Sequence, residues 1–185
     1  APASEWGSRF GLNGLLTMPG PWRQHRLQVS WASELKSGEE VPLTSPTVRP
    51  RGYPFDWTDA YEADAVAALQ YSLPLLYPDM ELGNVYYLKR IRGTLFADLG
   101  IGLPAGAGGK AAGPLPAGGE LPQWLQELES GLGAELHPVG GVELLFEQHL
   151  FNWPIALEGG LRFVYSLRDG RFRVEDTLLL LGLEW

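Results

Sequence analysis

The feature that most constrains this sequence is an alternation of apolar and polar residues with a period of two. Between Arg26 and Glu34, for example, Leu27, Val29 and Trp31 occupy every second position. Since successive side chains of a strand point to opposite faces, the pattern predicts strands with one apolar and one polar face. It recurs around residues 10–18, 66–75, 89–99, 142–147, 155–167 and 174–185. We therefore expect an all-β, antiparallel fold of about seven strands, each roughly the 9–11 residues of a tilted membrane strand.

The composition excludes several classes of protein. A chain of 185 residues predicts one domain. A net charge of −8 with only 14 Lys and Arg residues argues against a nucleic-acid-binding protein. The absence of cysteine excludes disulfides, thiolate nucleophiles and Cys-ligated metals, and no apolar run is long enough for a transmembrane helix. Residues 1–4 lack the basic and apolar regions of a signal peptide, so we expect a mature protein or a fragment.

The predicted connections alternate in length. Those around residues 19–21, 78–84 and 152–154 are short, those at 37–64 and 100–136 are long, and that at 168–173 is intermediate. Short turns at one end and long loops at the other are typical of outer-membrane β-barrels. A soluble β-sandwich, whose strands also alternate, is the competing interpretation.

Aromatic residues gather at the predicted short-turn end. Because amphipathic rings favour a membrane–water interface, they indicate half of an aromatic girdle. Its predicted members are Trp22, Tyr77, Tyr86, Tyr87, Trp153 and Trp185, with Phe151 nearby.

The region 101–137 is expected to form a long Gly/Ala/Pro-rich loop with one short helix. Residues 101–120 cannot bury enough apolar surface to order themselves and predict a mobile segment. Residues 121–132 have an amphipathic pattern, with Pro122 near the start of the predicted helix.

No pattern of catalytic or metal-ligating residues is found. His25, His137 and His149 are not at metal-ligand spacing, and the run ending at Gly109-Lys110 lacks the residues of a phosphate-binding loop. An acidic cluster, namely Asp56, Asp59, Glu62 and Asp64, is interpreted as solvated loop charge. We therefore expect no enzymatic activity, no cofactor and no metal.

The most informative segment is the triplet Arg51-Gly52-Tyr53, which lies in a predicted long loop over residues 37–65. If this loop folds back into a barrel, Arg51 meets Asp98 in a charge-assisted pair shielded from water. Gly52 would permit the tight tip, and Phe96 would stack on the guanidinium. Gln70 faces the same interior from the neighbouring strand.

These residues resemble motifs of the BamA/TamA superfamily of outer-membrane assembly and translocation barrels. Arg51-Gly52-Tyr53 is similar to the Val-Arg-Gly-Phe/Tyr loop tip, although Pro50 precedes the arginine here. Residues 67–71 resemble the strand after it, except that Gln70 replaces an acidic residue. Residues 93–100 resemble the next strand, with its aromatic-x-Asp-x-Gly ending. Residues 178–185 resemble a closing strand with a terminal aromatic residue.

The resemblance implies a lumen-anchored loop and a C-terminal assembly signal. Arg51, Gly52 and Tyr53 would anchor the loop in the lumen against Gln70, Phe96 and Asp98. The assembly signal would comprise Leu179, Leu181, Leu183 and Trp185. Because such barrels have about sixteen strands, residues 1–185 would form the C-terminal part of one. The remaining strands would come from the same or a separate chain.

The sequence leaves three functions open. The resemblance implies a barrel in the cell outer membrane that inserts or otherwise handles polypeptides. Its expected partners are the rest of the barrel, outer-membrane lipid, and outer-membrane or periplasmic proteins. Alternatively, the barrel is a structural anchor for a propeller or another partner complex. The third possibility is a small closed eight-stranded barrel acting as an adhesin.

Overall fold

The structure of the chain is a computed structural model. The structure describes residues 8–37, 49–54, 57, 61–83, 85–104, 121–150 and 155–183.

The described chain forms one antiparallel sheet and one short helix, which confirms the all-β prediction. The strands are β1 (Ser8–Pro19), β2 (Arg26–Ser37), β3 (Tyr61–Leu76), β4 (Met80–Leu82), β5 (Tyr86–Pro104), β6 (Glu135–Leu150), β7 (Ile155–Ser166) and β8 (Arg171–Leu183), and the helix is α1 (Gln123–Leu132). The main strands are ordered β1-β2-β3-β5-β6-β7-β8, and β4 pairs with β5. The sheet is not closed, so β1 and β8 form its two edges.

The two faces of the sheet differ in chemistry. One, here called the apolar face, carries large exposed hydrophobic side chains on every main strand, including Leu12, Trp31, Leu69, Leu95, Val142, Leu161 and Phe172. The other, the polar face, carries buried acidic residues that form ion pairs. These pairs are Arg9–Glu34, Lys36–Asp64, Arg51–Asp98, Arg90–Glu147 and Arg162–Glu143. The alternation in the sequence therefore separates the two chemistries as predicted.

The two ends of the sheet differ in their connections. At one end, residues 20–25 join β1 to β2, and residues 77–85, which include β4, join β3 to β5. At the other end, the β2–β3 and β5–β6 connections span residues 38–60 and 105–134. The β7–β8 connection, predicted to be of intermediate length, is a turn of residues 167–170 in which Gly170 has a φ of +60°. A glycine at positive φ permits a turn this tight.

Helix α1 packs on the apolar face at the long-connection end. Leu121 and Leu125 are buried with Leu136, and partly buried Leu99, Ile101 and Leu167 pack against them. The helix begins after Pro122 and ends at Gly133, whose left-handed φ of 61° closes it. The predicted short helix is confirmed.

Candidate functional site: a loop seated on the polar face

A segment of the β2–β3 connection, Arg49–Pro54 together with Trp57, lies on the polar face of the sheet. We call it the seated loop. Its tip is a turn in which the Tyr53 amide donates to the Pro50 carbonyl oxygen over 3.3 Å. Gly52 has a φ of +83°, and a β-carbon there would lie 2.7 Å from Val164 Cγ1. Both the backbone conformation and the close approach to β7 therefore require glycine at this position.

Arg51 and Asp98 form the central contact of the seated loop. Arg51 Nε donates to Asp98 Oδ2 over 3.0 Å, and the Arg51 backbone N–H donates to the same oxygen, also over 3.0 Å. The guanidinium carbon lies 4.1 Å from the centroid of the Phe96 ring. The side chains of Arg51 and Asp98 are only 17% and 2% exposed. Arg51 therefore contacts both partners expected from the sequence, in a setting shielded from water.

Two glycines on the sheet make room for this packing. A β-carbon on Gly100 would lie 2.4 Å from Pro50 Cγ, and one on Gly141 would lie 2.6 Å from Phe96 Cζ. The polar face is therefore shaped to receive the loop, because larger residues at these positions would displace Pro50 or the Phe96 ring.

A buried hydrogen-bonded cluster holds the end of the loop. The Tyr53 hydroxyl lies 3.1 Å from Ser166 Oγ and 3.2 Å from His137 Nδ1. The other ring nitrogen of His137 lies 2.7 Å from the Tyr61 hydroxyl, and Trp57 packs edge-on against the imidazole. Burial, opposed in part by the bond to Ser166, raises the pKa of Tyr53, so its hydroxyl stays neutral. With both ring nitrogens engaged, His137 on β6 joins the seated loop to Tyr61 of β3, and the Tyr53 hydroxyl joins the loop to β7 through Ser166.

The last strand also contacts the loop tip. Arg173 of β8 donates to the Gly52 carbonyl oxygen and lies 3.6 Å from the Asp169 carboxylate. The seated loop therefore touches β5, β6, β7 and β8. Sequence reasoning missed His137, Ser166 and Arg173, since a single polar residue on a strand carries no spacing signal that points to a distant loop.

Gln70, also predicted at this site, lies opposite Phe96 in the pairing of β3 with β5. Its side-chain amide donates to Gln28 on β2. Beyond it, the short-connection half of the polar face contains a polar cavity of about 210 Å³. Its lining includes Arg26, Gln28, Gln70, Arg90 and Arg92. The polar face therefore offers space and hydrogen-bonding groups for water.

The described residues of the predicted girdle lie at the short-connection end. Trp22 in the β1–β2 connection and Tyr77 after β3 are exposed, and Tyr86 and Tyr87 begin β5. Trp153 and Trp185 lie outside the described residues. Leu179, Leu181 and Leu183 belong to β8, where Leu183 pairs with Ile155 and Leu181 with Leu157 of β7. The side chains of these three leucines are outside the described part of the structure. The girdle and the assembly signal remain predictions.

The described residues include neither a cluster of metal ligands nor a membrane-spanning helix. Within the described ranges, no group of three or more His, Asp or Glu side chains is arranged to hold a metal ion. No helix in that part of the chain is long and apolar enough to cross a membrane.

No protein-family model, curated protein or solved structure matches the chain. The relationship to the BamA/TamA superfamily therefore stays a prediction that rests on the residues described above.

Proposed function

We propose that this chain is the C-terminal part of a transmembrane β-barrel of the BamA/TamA type in the outer membrane. The apolar face would contact lipid, and the polar face would line the lumen. The distribution of side chains supports this orientation, because the large hydrophobic residues of the sheet are exposed while its ion pairs lie on the opposite face. A soluble β-sandwich has the reverse requirement, since it buries its apolar faces against each other.

The energetics of the polar face also favour a lumen over a dry core. Moving an ion pair into a dry interior costs, by order of magnitude, several kcal/mol of desolvation free energy per ion. The attraction between the two ions offsets this cost only when their geometry is excellent. The polar face carries such pairs from β1 to β8. Three of them, Arg90–Glu147, Arg92–Glu158 and Arg162–Glu143, contribute a residue to the lining of the polar cavity. A water-filled lumen would hydrate the partly exposed arginines of these three pairs, whereas a second apolar sheet packed on them would not.

The open edges set a requirement on the proposal. In hydrocarbon, each unpaired backbone N–H or C=O costs several kcal/mol. Neither β1 nor β8 has a strand partner on its outer side in the described chain. Further strands, from the same or a separate polypeptide, would therefore close the barrel. The open sheet gives no support to a small closed eight-stranded adhesin.

We propose that the barrel handles polypeptides during their insertion into or passage across the membrane. The observation that carries this proposal is the Arg51–Asp98 contact beneath a loop that also touches β8 through Arg173. Because this loop contacts both the lumen wall and the edge strand β8, a movement of the loop within the lumen would also change the position of β8. In the closed barrel β8 would lie at the seam with the first strand, and opening of that seam would offer its backbone groups to an incoming chain.

Replacement of Arg51 by alanine tests this function. We expect Arg51→Ala to lower barrel stability and to reduce the amount of newly assembled outer-membrane protein. Arg23→Ala is the matched control, because Arg23 is an exposed arginine in the β1–β2 connection. An Arg51→Ala protein with unchanged stability and unchanged assembly activity would refute the proposal.

A structural anchor is the second candidate. It is favoured by the contacts of the seated loop with four strands, since a loop held in this way would obstruct the passage of a substrate through the lumen. Depletion of the protein separates the two functions. Normal levels of other outer-membrane proteins after depletion would support the anchor, and a general fall in those levels would support polypeptide handling.

A further inference from the structure

Helix α1 carries more apolar surface than the sheet covers. Leu125 is buried to 2% exposure against the apolar face, whereas Trp124 is 65% exposed. Leu128 and Leu132 are exposed as well. Together these exposed side chains form an apolar patch rimmed by polar residues, which is typical of a surface that contacts a partner or a membrane.

The exposed side chains form one flank of the helix. At about 100° per residue, Leu125, Leu128 and Trp124 span an arc of about 100°, with Leu125 at one border and Trp124 at the other. The opposite side carries only polar residues, namely Gln123, Gln126, Glu127 and Ser130. The helix therefore has three surfaces: one on the sheet, an adjacent apolar flank, and a polar side for solvent.

The apolar flank is continuous with the apolar face. Leu99, Ile101 and Leu136, which receive Leu125, lie at the long-connection end of that face. Further along the strands, the face is exposed at Leu95 of β5 and Tyr165 of β7. The medium that surrounds these exposed sheet residues, whether water or lipid, therefore also surrounds the apolar flank of the helix.

We propose that α1 lies in the membrane interface, with Trp124 and Leu128 in the lipid surface and the polar side in water. This inference rests on the proposed membrane placement of the sheet. Tryptophan suits such a position, since its ring is apolar while its N–H bonds to water or headgroups. Residues 121–134 contain no Lys or Arg. Binding would therefore depend on apolar burial and would not require anionic lipid.

Fluorescence quenching by brominated lipid tests this placement. The protein would be reconstituted in phosphatidylcholine bilayers brominated either close to the headgroup or deep in the acyl chains. The Trp124 signal is the difference between the unmodified protein and Trp124→Phe. We expect this signal to lose most of its intensity with shallow bromines and less with deep bromines. Adding anionic lipid should not increase the loss, because α1 carries Glu127 and Glu129 and no basic residue. Trp124 emission unaffected by either brominated lipid would overturn the inference.

Quenching of Trp31 by the same lipids distinguishes an error in the helix placement from an error in the proposed function. Trp31 lies on the apolar face of β2, and its signal is obtained in the same way with Trp31→Phe. Quenching of Trp31 without quenching of Trp124 would refute only the helix placement. Absence of quenching at both would refute the membrane placement of the sheet.

A matched pair of variants tests the apolar flank itself. Leu128→Glu places a carboxylate on the flank, whereas Ser130→Glu places one on the polar side. We expect Leu128→Glu to reduce the quenching of Trp124 by brominated lipid and Ser130→Glu to leave it unchanged. Equal effects of the two changes would contradict the proposed orientation.

Discussion

Removal of the Arg51 side chain should reveal a strong coupling to Asp98. Arg51→Ala leaves a carboxylate of 2% exposure without its charged partner, although the backbone N–H at position 51 still donates to it. Loss of one partner of a buried pair costs about 3–5 kcal/mol. Because the Arg51 side chain is 17% exposed and one hydrogen bond to Asp98 remains, we expect the lower end, about 3 kcal/mol.

A double-mutant cycle isolates the pair from the rest of the loop. Asp98→Asn removes the negative charge but keeps the shape of the side chain. Arg51→Ala combined with Asp98→Asn should therefore cost less than the sum of the single changes, with a coupling energy of about 2 kcal/mol. Urea unfolding of the reconstituted barrel, followed by tryptophan emission, measures each free energy of unfolding. Additive effects of the two substitutions would refute the account of the pair.

Two further predictions concern the loop tip and the helix. Gly52→Ala should destabilise the protein by more than Gly83→Ala in the same unfolding assay. Both glycines have positive φ, which costs alanine about 1–2 kcal/mol, but of the two only Gly52 approaches another residue, Val164. Equal losses in the free energy of unfolding would contradict the packing of the loop tip against Val164. Burial acts to raise the pKa of Glu129, but hydrogen bonds from the Leu136 N–H and Arg168 outweigh it and lower that pKa. This stabilisation is complete above the unfolded pKa of about 4.3 and is lost as the pH falls through the folded value. Hydrogen exchange of α1 amides should therefore speed up in acid, and Glu129→Gln should remove that dependence; an unchanged dependence in Glu129→Gln would refute it.

The faces of the sheet were predictable, while the limits of its strands were less so. A period of two assigns each residue of Arg26–Glu34 to one face, because strand geometry leaves no other choice. In contrast, β6 begins at Glu135, well before the predicted alternation at Val142. Gly140 interrupts the apolar face there, and Gly141 interrupts the polar face, where the absence of a side chain leaves room for the Phe96 ring. The three-residue strand β4 is too short to show a period.

The candidate site was predictable only in part, for a comparable reason. The Arg51–Asp98 pair could be predicted, because the two residues carry opposite charges and meet once the loop folds onto the polar face. The contacts of Tyr53 with His137 and Ser166 join residues far apart in the chain, and neither partner has a motif. Their meeting depends on the register of β6 and β7, which local patterns do not specify.

The membrane placement of the two faces is tested most directly by single cysteines at Leu69 and Gln70. These neighbours lie on opposite faces of β3, and the chain has no cysteine of its own. In the folded structure Leu69 is 48% exposed, so water alone would leave it open to a charged, membrane-impermeant thiol reagent. We predict that in bilayers Gln70→Cys reacts and Leu69→Cys does not, until the membrane is dissolved and the protein unfolded. Rapid labelling of Leu69→Cys in intact bilayers, with Gln70→Cys protected, would contradict the account.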